Sequence, residues 1–91
     1  MKLVRDHIPN IIEEDGSWCL TRRVHGVDEH IILLREKMIE ETDEFIRDPS
    51  YEEAADMLEV LKAFCHLHNL EFDVVLSTAA NKQETHGGFY N

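Results

Sequence analysis

Two runs of acidic residues dominate the chemistry available to this chain. Glu40-Glu41-Thr42-Asp43-Glu44 and Glu53-Ala54-Ala55-Asp56 stand on either side of Asp48-Pro49-Ser50. Carboxylates three residues apart share a face of an α-helix. If both runs are helical and the proline turn folds one back on the other, two such faces meet. Four converging carboxylates repel one another unless a cation lies between them, and an all-oxygen donor set suits a hard divalent ion such as Mg²⁺ or Mn²⁺. The chemistry on offer is therefore the holding of a metal ion against phosphate oxygens.

The elements that must position these groups follow from periodicity. An extended start leads to Pro9 as a first-turn residue, with Ile8, Ile11 and Ile12 as the apolar stripe of a short helix that Asp15-Gly16 ends. Residues 17–27 read as loop with a possible short strand, because Arg22-Arg23 interrupts the alternation of Trp18, Leu20 and Val24. Asp28 is the expected N-cap of a second helix running to about Arg47, since Ile31, Leu34, Met38 and Phe45 recur at helical spacing and Ile32, Ile39 and Ile46 widen the stripe. The residue before Pro49 disfavours helix, so Asp48 ends it. Ser50 then caps a third helix from Tyr51 to about His68, with Met57, Val60, Leu61, Phe64 and Cys65 on its apolar face and Asn69 as a left-handed stop. A fourth helix, from about Glu71 to His86, carries Phe72, Val75, Leu76, Ala79 and Ala80 and closes at Gly87-Gly88. The expected product is one all-α domain over residues 1–91, an antiparallel bundle of about four helices whose faces are too apolar for a lone monomer.

At about 100° per residue, Glu41 and Glu44 fall side by side at the border of the apolar stripe, and Glu40 falls nearly opposite its centre. On the third helix Glu53 lies within the apolar arc and Asp56 at its margin. A carboxylate facing a core is costly unless something pairs with it. Glu41, Glu44, Glu53 and Asp56 are accordingly the candidate ligand set. Simpler readings stand beside that one. Ser50-Tyr51-Glu52-Glu53 is also a capping box, in which Glu53 reaches back to the Ser50 amide, and Glu40, Glu41 and Glu44 are compatible with one solvated face.

Composition narrows the partners. Nineteen Asp and Glu against nine Lys and Arg leave a formal charge of -10 over 91 residues, which argues against a nonspecific surface for duplex nucleic acid. Two distant cysteines, Cys19 and Cys65, form neither a disulfide framework nor a zinc knuckle and suit a reduced compartment. With no apolar run of membrane-spanning or signal-peptide length, a cytoplasmic protein is expected. His66 and His68 are splayed about 200° around a helix and do not share a metal; His68 packs or caps. His25, His30 and Arg22-Arg23 read as surface. No glycine-rich phosphate loop, nucleophile elbow or Ser/His/Asp arrangement can be assembled.

With both acidic motifs and both chain ends in view, the sequence resembles the MazG-like all-α nucleoside triphosphate pyrophosphohydrolases, in particular their phosphoribosyl-ATP pyrophosphohydrolase-like branch. Glu40-Glu41-x-x-Glu44 and Glu53-x-x-Asp56 look like the superfamily's Glu-Glu-x-x-Glu and Glu-x-x-Asp metal signature. Lys2-Leu3-Val4-Arg5-Asp6-His7-Ile8-Pro9 is similar to the branch's Lys-Leu-Val-Arg-Asp-Lys-Ile-Pro start, and Lys82-Gln83-Glu84-Thr85-His86-Gly87-Gly88-Phe89 to its Lys-x-x-x-Arg-Gly-Gly-Phe close. His7 and His86 depart from that pattern, each replacing a permanent cation by a group largely neutral at pH 7. The resemblance implies hydrolysis of a nucleotide between its α and β phosphates, releasing a nucleoside monophosphate and pyrophosphate, as in house-cleaning of a nucleotide pool. It implies Mg²⁺ held by Glu41, Glu44, Glu53 and Asp56, with Glu41, or Glu40 as an outer partner, assisting the attacking water. Arg5, Lys37, Lys82 and His86 are then the cations near phosphates, and a homo-oligomer, dimer or tetramer, completes the site. The departures leave open a relative that binds nucleotides without turnover, and the capping box a purely structural acidic oligomer.

Overall fold

The computed structural model describes residues 2–8 and 26–91, among which the regular elements are all helices and there is no strand. Three helices follow one another: α1 (Gly26–Arg47), α2 (Tyr51–Leu67) and α3 (Phe72–His86). The short helix expected from Pro9 and the possible strand near Trp18 lie outside the described residues.

Local chemistry sets most of the helix ends. α1 closes where the Asp48 amide donates to the Glu44 carbonyl at 2.9 Å, and Pro49 supplies no amide to continue. Ser50 is extended (φ -134°, ψ 165°), and its Oγ accepts from the Glu53 amide at 3.2 Å, satisfying one of the free donors at the start of α2. At the other end Asn69 takes a left-handed conformation (φ 58°), and the Leu70 amide returns to the Cys65 carbonyl at 2.9 Å. His68 caps this end and also stacks on Phe64, ring centroids 4.5 Å apart. Gly87, at φ 77°, ends α3 with its amide on the Gln83 carbonyl.

The start of α1 differs from expectation. The helix already includes Gly26 and Val27, so Asp28 is not its N-cap but sits with Glu29 in the first turn. Acidic residues are favoured there by the helix dipole as well as at the cap, so the residue type alone fits both places.

α1 and α2 form an antiparallel hairpin, and α3 touches α2 but not α1. The side of α1 turned to α2 is the row Ile31, Leu34, Met38, Glu41 and Phe45, spaced three and four residues apart, all buried or half-buried. Ile32, Ile39 and Ile46, which the periodicity assigns to the same stripe, are 53%, 67% and 69% exposed. They lie about 120° away around the helix. Among the described residues only Leu33, Leu34 and Cys65 are buried hydrophobics. The radius of gyration is 16.1 Å, against about 12 Å for a compact chain of this length. The described part of the chain therefore encloses little core of its own.

Candidate metal centre

Toward the turn of the hairpin, the seam between α1 and α2 changes from apolar to acidic. Glu41 follows Leu34 by two helical turns and takes a place that a core residue would fill; it is only 5% exposed. This corrects the expectation that Glu41 lies at the border of the stripe. The exposed isoleucines had drawn the inferred centre of the stripe away from its true line, and once they are set aside Glu41 is inside the seam. Across from it, α2 brings Glu53 and Asp56 from its first turns, both half-buried.

The carboxylates converge in two overlapping groups. Glu41, Glu53 and Asp56 each offer an oxygen within 4.8 Å of the others, and so do Glu40, Glu41 and Glu44. Glu41 belongs to both. Glu53 and Asp56 share one group with Glu41, while Glu44 shares the other with Glu41 and Glu40, so Glu40 adjoins the acidic seam rather than pointing away.

Two oxygens at this locus are buried without any hydrogen-bond partner, Oε2 of Glu41 and Oε2 of Glu53. An unsatisfied buried acceptor costs about 1–3 kcal/mol, more when charged, so each calls for a partner, a water or a cation. For Glu53 this also weighs against the reciprocal capping box. The Ser50 half of the box forms, but it uses the Glu53 backbone amide, and the carboxylate is turned to the acidic locus instead. Shielding from water, followed by the charges of Glu44, Asp56, Glu41 and Asp48, pushes the Glu53 carboxyl above its ordinary pKa. The donor set is entirely oxygen and strongly anionic, which fits Mg²⁺ or Mn²⁺ and not a soft metal.

Among the described residues, three cations offset part of this charge. Lys37, one turn before Glu41, lies 3.2 Å from Glu41 Oε1 and 3.4 Å from Glu40 Oε1. Partial burial lowers the Lys37 pKa, but the hydrogen bond to Glu41 and the charges of Glu40 and Glu41 outweigh it and the net shift is upward. Arg5 reaches Asp56 Oδ1 at 2.5 Å, and that hydrogen bond holds its guanidinium above the ordinary range. Lys2 lies 3.6 Å from Glu40. A lysine in an extended segment carries no periodicity that would place it at the site. Lys2, Leu3, Leu33, Glu36, Lys37 and Glu40 line a shallow groove beside the carboxylates.

The remaining two predicted site residues are elsewhere. Lys82 and His86 are exposed on α3, which makes no contact with α1, and the His86 Nδ1 is 2.8 Å from the neighbouring Thr85 hydroxyl. Within one chain nothing brings them to the acidic locus. Cys65 is a free, buried thiol, and no helix among the described residues is long and apolar enough to cross a membrane.

No family model, curated protein or solved structure matches the chain.

Proposed function

We propose that this protein is a Mg²⁺-dependent nucleotide pyrophosphohydrolase that splits a nucleoside triphosphate, or a phosphoribosyl-ATP-like nucleotide, into the monophosphate and pyrophosphate. The observation that carries the reading is the pair of buried, partnerless carboxylate oxygens on Glu41 and Glu53, residues of two helices that share one acidic group with Asp56. The resemblance of the two acidic motifs and both chain ends to MazG-like enzymes supplies the reaction.

Glu41, Glu44, Glu53 and Asp56 would hold the ion. When bound, Mg²⁺ supplies neutralisation of phosphate charge and a more readily deprotonated water. The chain's own part is to fix the carboxylates on two rigid helices and to place cations beside them. Lys37, braced between Glu40 and Glu41, holds Glu41 in one orientation, and Glu41, with Glu40 as its outer neighbour, accepts the proton of the attacking water. Arg5 stands at the edge of the locus, within reach of a phosphate. Lys82 and His86 join the site from a second copy of the chain.

That second copy has its own support. The exposed row Ile32, Ile39 and Ile46 repeats every seven residues along α1, and Val74 and Leu76 of α3 are 56% and 54% exposed. A row of exposed apolar side chains along one helix, as on α1, suits an association face. Replacement of Ile39 by Glu is expected to weaken self-association at least about tenfold, read as a shift to monomer mass in light scattering after size exclusion.

Activity is tested by pyrophosphate release from a panel of nucleoside triphosphates and phosphoribosyl-ATP. Turnover that needs Mg²⁺ is expected for at least one member. Mg²⁺-dependent nucleotide binding with no turnover of any member would replace the enzyme by a nucleotide-binding protein, and no binding at all would remove both.

A further inference from the structure

The geometry points to residues 2–8 as a displaceable counter-ion strap: Arg5 and a divalent cation compete for Asp56, and the guanidinium that the cation displaces pairs with the anion that the metal brings. The inference rests on the metal-site reading above and adds to it a role for the free chain.

Three observations carry it. Arg5 and Lys2 reach the locus from a segment outside the hairpin, and each takes a carboxylate of one of the two converging groups, Asp56 and Glu40. Both are held from the solvent side, with side chains 55% and 76% exposed. Lys37, by contrast, is 22% exposed and fixed by its own helix to two carboxylates. Exposed ion pairs contribute little, so the strap is bound lightly enough to leave, whereas Lys37 is not.

Charge gives the exchange its direction. With every group ionised, five carboxylates face three cations at this locus among the described residues. One divalent ion in place of Arg5 and Lys2 leaves the local charge unchanged, so the exchange requires no new compensation. The released guanidinium remains tethered beside the metal. Its planar fork matches a phosphate group in two parallel hydrogen bonds, which an ammonium cannot do. The same residue thus opposes metal binding in the free protein and favours a phosphate-bearing ligand in the loaded one.

Opposite effects on two affinities follow. Calorimetric titration of Mn²⁺ into the full chain is expected to show Arg5→Gln binding the metal about two- to fivefold more tightly than the unaltered protein, the range corresponding to an exposed ion pair. Titration of pyrophosphate into the metal-saturated proteins is expected to show Arg5→Gln binding about tenfold more weakly. A residue that merely supports the fold would weaken both. Mn²⁺ binding that is not tightened, or pyrophosphate binding that is not weakened, overturns the strap and leaves the metal site standing. Failure of both proteins to bind Mn²⁺ overturns the metal-site reading and the strap with it.

Discussion

Mg²⁺ at about 100 times its dissociation constant is expected to raise the melting temperature by roughly 10–20 °C. Binding to the folded state alone contributes about 2.7 kcal/mol at that ratio, and each kcal/mol moves the midpoint of a domain this small by about 4–8 °C. The ion should be this effective because the folded chain holds its ligands at a cost: Oε2 of Glu41 and Oε2 of Glu53 are buried with nothing to accept from. An unfolded chain has no such locus and gains nothing from the metal. Glu41→Gln is the decisive companion. The amide keeps the volume and can still accept from Lys37, so the seam stays packed, but it removes the carboxylate shared by both acidic groups. A loss of about 100-fold in metal affinity, the upper end of what even an outer partner of a metal site contributes, reduces the rise at the same Mg²⁺ concentration to about 2–3 °C. Scanning calorimetry of the two proteins with and without Mg²⁺ reads the difference directly. Equal rises in both would mean that Mg²⁺ binds somewhere other than the seam.

What could be read from the sequence divides by the range of the interaction. Ser50, Asn69 and Gly87 mark helix ends through bonds to residues three to five positions away, and the structure places all three as the sequence predicts. The approach of Glu53 and Asp56 to Glu41 was legible too, because helical spacing and one proline turn suffice to bring those faces together. Which of two apolar rows on α1 faces α2 was not legible: Ile32, Ile39 and Ile46 repeat as regularly as Leu34, Met38 and Phe45, and periodicity does not tell an outward row from an inward one. The error on the burial of Glu41 follows from that ambiguity. The pairing of Arg5 with Asp56 spans 51 residues and depends on how the chain returns to the hairpin, for which no local rule exists. Lys82 and His86 entered from the resemblance at the chain end, and the contacts of α3 within one chain leave them apart from the carboxylates.

Glu53→Gln is expected to abolish Mg²⁺-dependent turnover, by at least about 100-fold, while making the metal-free protein more stable at neutral pH. The two effects have one origin. Glu53 faces Glu44, Asp56 and Glu41 with a shielded oxygen, and its carboxyl holds a proton to higher pH than in the unfolded chain. Over the interval between the ordinary glutamate pKa and the raised one, the folded state binds more protons than the unfolded state, so stability falls as pH rises through it. Below that interval Glu53 is neutral in both states and the substitution changes nothing; above it the unaltered protein carries the full repulsion and the variant does not. Melting curves in chelator should therefore coincide at acid pH and separate toward neutral pH, with the variant higher. The cap on α2 is not at risk, because Ser50 Oγ accepts from the backbone amide of residue 53. If Glu53 served instead as the returning half of a capping box, its charge near the positive end of α2 would be stabilising and the order of the curves at neutral pH would reverse. Saturating Mg²⁺ also reverses the order, since only the carboxylate gains from the ion. A stabilised metal-free variant that has lost turnover is the signature of a carboxylate placed for a ligand at the expense of the fold.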